Sequence, residues 1–164
     1  MSRFAPRAFR SPALQWLAAV AQGWAEQPAE WRPLVHHDAT GRWVEPLVVN
    51  EHSEVWLQGW PVGEHVELHD HGGASGALCV VSGELAETYA AEPDAARLRR
   101  RRLRTGGVSA FGPDLEVVQL LAAEAAAAGR SGPALTLVLW LGPEGWLVEG
   151  HGRTPARPQW PLHA

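Results

Sequence analysis

The stretch from Trp60 to Gly83, WPVGEHVELHDHGGASGALCVVSG, sets two strand-like runs around a glycine-rich turn, with two histidines one residue apart just before it. Side chains alternate faces along an extended strand, so His69 and His71 share a face and can share one ion. Glu67 and His65 have the same parity and join that face if the strand runs straight through. Imidazole donors gathered on one face suit iron, nickel, copper or zinc better than magnesium or calcium. The bland alternative for a bare His-x-His pair is a solvated strand. The GGASG turn followed by ALCVVSGEL weighs against it, because a tight glycine turn after paired ligands fits a small barrel.

The neighbouring segments have the same strand character. RWVEPLVVN, EVWLQGWPV, HVELHDH and ALCVVSGELAETYA are short β-branched and aromatic runs bounded by Gly, Pro, Asn and Asp, the pattern of a strand meander. VSAFGPD and EVVQLL continue it. ALTLVLWLG, residues 134–142, is a nearly continuous apolar run expected in the middle of the core. Between them AAEAAAAG, residues 122–129, reads as a short helical insertion, marginal in water without packing. Upstream, Leu14, Leu17, Ala18 and Ala21 recur at helical spacing, with Ser11 as N-cap and Pro12 at the first helical position. That helix is expected to pack outside the strands. The expectation is a mainly β chain of 164 residues in one domain: an N-terminal helical segment over 1–33, a small β-barrel over 34–149 and a tail over 150–164.

A net charge of -4 argues against a general nucleic-acid binder, although six of the fourteen basic residues lie between Arg97 and Arg104. That block reads as a solvated edge strand whose charges discourage edge-to-edge pairing, with a polyanion patch as the alternative. Cys79, alone in an apolar run, excludes a disulfide framework and a thiolate cage; it reads as core packing in a reducing cytoplasm. No run approaches the roughly 20 apolar residues that span a bilayer, so no membrane partner is expected. PALQWLAAVAQGW lacks a small-residue cleavage site and is broken by Gln15 and Gln22, so it reads as a helix rather than a leader. His36 and His37 read as surface residues near a turn, His52 as part of the polar turn NEHSE, and His163 as a chain-end residue. His65 is open between pocket and surface, and His151, in EGHGR, has no motif around it.

The order HDHGG, VVSGEL, AFGPD, preceded by RPLV, RW and EVWLQGW, resembles the bacterial branch of the cysteine dioxygenase family over roughly Arg32 to Pro143. These are thiol dioxygenases of the cupin superfamily. The general cupin spacing is present too: Gly63, five residues, His69-x-His71, four residues, Gly76, six residues, Gly83. Most cupins place a glutamate ligand where Gly76 stands, and thiol dioxygenases lack it. The resemblance implies a cupin jelly roll, ferrous iron (Fe2+) or another divalent transition metal, dioxygen, and a small-molecule substrate.

Several family positions differ here. The third iron-binding histidine falls near Leu115, and no histidine lies between His71 and His151, so either the site has two histidines, or Asp114, Glu116 or Glu67 joins His69 and His71 as a carboxylate ligand. The arginine that grips the substrate carboxylate falls within Val44-Glu45-Pro46, and neither glutamate nor proline supplies its bidentate fork. The supporting histidine and tyrosine of the late strand align with Val138 and Trp140. The implied function is a mononuclear non-haem iron protein acting with dioxygen on a small substrate other than free cysteine. The alternative is a catalytically inactive, diverged cupin acting as a binding module or partner subunit, and a metal-dependent isomerase or lyase ranks third. A homodimer is compatible with either.

Overall fold

The computed structural model describes residues 12–50, 53–69, 75–90, 98–111, 118–121 and 133–141, with 66–69, 90, 98 and 118–121 described in backbone only. Helix α1, Pro12–Ala25, begins at the expected proline, where the missing N–H is no loss. The short α2, Pro28–Trp31, and a 3-10 turn, Arg32–Leu34, lead to the first strand. The strands are β1 Trp43–Val49, β2 Glu54–Trp60, β3 His65–His69, β4 Ser75–Ser82, β5 Glu84–Ala90, β6 Leu98–Arg104, β7 Val108–Phe111, β8 Val118–Leu121 and β9 Ala134–Leu141. The alanine-rich 122–129 and the tail from 150 lie outside the described residues. Among the described residues no helix is long and apolar enough to cross a membrane.

Two antiparallel sheets form a jelly roll. The larger has the order β1-β2-β9-β4-β7 and the smaller β3-β8-β5-β6. Period-two alternation sorts the larger sheet into two apolar faces. Trp60, Leu78, Val80, Phe111, Val138 and Trp140 meet Leu85 and Leu103 of the smaller sheet in one core. Val55, Leu57, Ala77, Cys79, Leu137 and Leu139 form the opposite face, covered by Leu17 and Ala21 of α1 and by Trp31. Burial on both faces explains why β9 reads as an unbroken apolar run. The arginine-rich β6 is an edge strand, as expected.

The ladders sort the interior into layers. β2 turns into β3 through Pro61–Glu64, closed by a hydrogen bond from Glu64 N–H to the Pro61 carbonyl at 3.1 Å. Glu54 and His69 therefore both lie at the end of the jelly roll away from that turn. At that end one row runs Glu54, Trp140, Gly76, Phe111 across the larger sheet, and another runs His69, Val118, Tyr89, Arg99 across the smaller. The next layer holds Trp56, Val138, Leu78 and Ser109 facing Val66, Leu120, Glu87 and Arg101.

Candidate functional site

The register of β3 decides which of its residues share a face. His65 and Val66 pair with Leu121 and Leu120, but His69 pairs with Val118, so the ladder shifts between Val66 and His69. An extra residue on one strand inverts the parity beyond it. His69 falls in the row of Tyr89, whose ring packs against the core between the sheets. His65 falls in the other row and is exposed. The straight-strand expectation that His65 shares the face of His69 is thus corrected, and Glu67 lies inside the irregular stretch, where no pairing fixes its face. His71, Asp114, Glu116 and His151 lie outside the described residues. Among the described residues no group of three or more His, Cys, Asp or Glu is placed to hold a metal ion.

One carboxylate escaped the sequence reading. Glu54 opens β2 at the end of the jelly roll where His69 closes β3, and it is buried. It shares the inward-facing parity of Trp56, whose indole N–H donates to Glu54 Oε2 at 2.8 Å. In the sequence it merges into the polar turn NEHSE. Only the alternation carried back from Trp60 through Gln58 and Trp56 would have marked it as interior. Across the same row, the rings of Trp140 and Phe111 lie 5.1 Å apart. A Cβ on Gly76 would meet the Leu139 carbonyl oxygen and come within 2.7 Å of the Phe111 ring. The position that most cupins fill with a glutamate has no room here for a side chain.

One layer deeper lies a polar floor. Glu87 is fully buried and accepts hydrogen bonds from the Arg101 Nε–H and from the Ser109 hydroxyl. Arg101 Nη2 also donates to Ser109 Oγ at 3.0 Å, and its guanidinium carbon sits 4.7 Å from the centre of the Tyr89 ring. A buried carboxylate is tolerated when paired and hydrogen-bonded in this way. The solvated-strand reading of the arginine block holds for Arg99, Arg100, Arg102 and Arg104, which are exposed, and fails for Arg101, which lies on the inward parity of β6.

The expected departures have visible outcomes. Glu45 faces away from the interior, opposite Leu57, and accepts a hydrogen bond from His36 Nε2 at 2.7 Å, while the His36 ring stacks on Trp43 at 4.4 Å. His36 and His37 are exposed, and Val138 and Trp140 are buried, as the sequence indicated. Cys79 is packed beneath α1; burial, then the charge of Glu26, pushes its thiol up to about 11, which suits core packing.

Comparison with known proteins agrees with this architecture. The model of the family described as cysteine dioxygenase type I matches residues 11–117. No curated protein matches the chain significantly. Among solved structures, TT1209 from Thermus thermophilus is similar with a TM-score of 0.52 at 17% identity, covering 67% of this chain and 91% of that one. A cupin superfamily protein from Desulfitobacterium hafniense has a TM-score of 0.52 at 13% identity, covering 68% and 87%. At these identities the likeness is one of fold, and the fold is the cupin jelly roll. With the family match spanning well over half its length, the chain belongs to the cysteine dioxygenase type I family.

Proposed function

We propose that this chain is a mononuclear non-haem iron protein that acts with dioxygen on a small substrate other than free cysteine. In this reading His69 and His71 are the nitrogen ligands and a carboxylate replaces the third histidine. The observation that carries it is Glu54, a buried carboxylate on the inward parity of β2, at the same end of the jelly roll as His69. Two imidazoles and one carboxylate form a recognised donor set for ferrous oxygenases that leaves positions open. The hydrogen bond from Trp56 orients one oxygen of Glu54, the role that outer hydrogen bonds play around ligating carboxylates. Glu67, Asp114 and Glu116 are the alternative third donors. Gly76, with no space for a side chain, fits a set of three rather than four.

When bound, iron supplies the one-electron chemistry with dioxygen that side chains lack. The chain supplies the surroundings. In this reading Trp140 and Phe111 would give the layer of Glu54 and His69 an apolar wall, and Arg101 of the deeper floor with Glu87 and Ser109 packs its guanidinium against the Tyr89 ring of that same layer. With Glu45 turned outward to His36, its position offers no fork for a substrate carboxylate, which argues against free cysteine.

Metal analysis tests the reading. Purified protein is expected to carry, or to take up anaerobically, close to stoichiometric iron; His69→Ala should abolish this and Glu54→Ala should weaken it at least tenfold. Iron bound normally by Glu54→Ala but lost by His69→Ala would transfer the carboxylate role to Glu67, Asp114 or Glu116. A protein that refuses ferrous ion altogether selects the second reading, a binding module or partner subunit, which the apolar Val138 and Trp140 favour.

A further inference from the structure

The smaller sheet ends in the arginine-rich β6, whose outer face plays no part in the iron reading. Leu103 points inward to Leu85, so Arg100, Arg102 and Arg104 stand on the outer face, and all three are exposed. They follow one another at about 6.6 Å, the repeat of one face of a strand. Opposite them on β5 lie Thr88, Ala86 and Glu84. Glu84 meets Arg102 Nη1 at 3.4 Å with one oxygen and Arg104 Nε at 3.3 Å with the other. On the inner face Glu87 stands directly opposite Arg101 and accepts its Nε–H. Glutamate–arginine pairs thus join β6 to its neighbour on both faces of the sheet.

The other edge of β6 has no such neighbour among the described residues, where β6 is the last strand of its sheet. About half of the backbone N–H and C=O groups of a last strand point away from the ladder, which makes it a template for one strand more. Charge decides what docks there. A second copy of β6 sets arginine against arginine, and like charges directly opposite destabilise a pair. An acidic strand does the reverse. Its same-face carboxylates repeat at the same spacing of about 6.6 Å, and a guanidinium fork takes a carboxylate through two N–H groups. A nucleic acid matches less well, because outside Arg97–Arg104 the chain has eight basic residues against eighteen acidic ones, and their field opposes a long polyanion. A short strand contacts only the seven residues of β6.

We propose that β6 is a docking edge for an acidic, extended segment of a partner protein, which adds to the four-stranded sheet as a further strand. The guest sets glutamates or aspartates toward Arg100, Arg102 and Arg104 and places apolar residues on its other face, beside Leu103. Backbone hydrogen bonds supply the attachment, while the arginines select the sign of charge and reject a second β6. The contact lies on the outer face and edge of the sheet, so it is independent of any metal between the sheets.

Fluorescence anisotropy of the full chain with a labelled seven-residue peptide of alternating valine and glutamate tests the edge. The peptide should bind saturably and about tenfold more tightly than its lysine counterpart. N-methylation of its backbone amides, which keeps the charge and removes the donors, should abolish binding. Arg100→Gln, a single exposed change opposite Thr88, should weaken binding about threefold. Arg100→Glu with Arg102→Glu, which leaves the Arg104–Glu84 pair in place, should reverse the preference toward the lysine peptide, a gain that an unfolded chain does not show. Absence of saturable binding, equal binding of the N-methylated peptide, or an unaltered preference in the double variant would overturn the proposal. Displacement of the peptide by inorganic polyphosphate at lower concentration than by unlabelled peptide would also overturn it and assign the arginines to a polyanion.

Discussion

The thiol of Cys79 lies under α1, raised from an ordinary 9.0 to about 11 by burial and by Glu26. Below pH 9 the folded and unfolded chains both keep that proton, and the thiol contributes nothing to the pH dependence of stability. Between pH 9 and 11 the unfolded chain releases it first, so stability falls as pH rises, by up to about 1.4 kcal/mol per unit and about 3 kcal/mol in all. Urea midpoints measured from pH 8.5 to 10.5 should fall in the native chain and flatten in Cys79→Ala; equal slopes would refute the assignment. At this scale the sequence was partly legible. An apolar neighbourhood marked Cys79 as core, whereas Glu54 merges in sequence with the polar NEHSE and Arg101 with the exposed arginines beside it, and only the facing of their strands marks them as interior.

Among the elements, α1 and the strands stood where periodicity placed them, because alternation and glycine or proline boundaries are local properties of the chain. The register shift in β3 was not legible, since an extra residue leaves no compositional mark and appears only against the partner strand. Gly76 tests the element scale directly. The spacing suggests a ligand position, but the Leu139 carbonyl oxygen of the paired strand and the Phe111 ring fill the space above it. Gly76→Glu is therefore expected to destabilise the fold by about 2–4 kcal/mol and to gain no iron affinity. Thermal melting together with metal analysis reads both, and a stable variant with tighter iron would contradict this packing.

For the molecule as a whole, the larger sheet is apolar on both faces, one against the smaller sheet and the other against the N-terminal helices. Removal of residues 1–27 should uncover Val55, Leu57, Ala77, Leu137 and Leu139 as one apolar patch. The shortened chain is expected to self-associate, seen as a rise in light scattering at concentrations where the full chain scatters little; identical scattering would show that α1 is dispensable as a cover.

The position of α1 also sets an order in time. It precedes every strand it covers, and its contacts reach β4, β7 and β9, the last beginning at Ala134. At about 5–20 residues per second of synthesis, the helix is finished roughly 5–20 s before its last partner strand exists. Through that interval Leu14, Leu17 and Ala21 have no completed surface to rest on, so the nascent chain carries an uncovered apolar stripe until β9 is made.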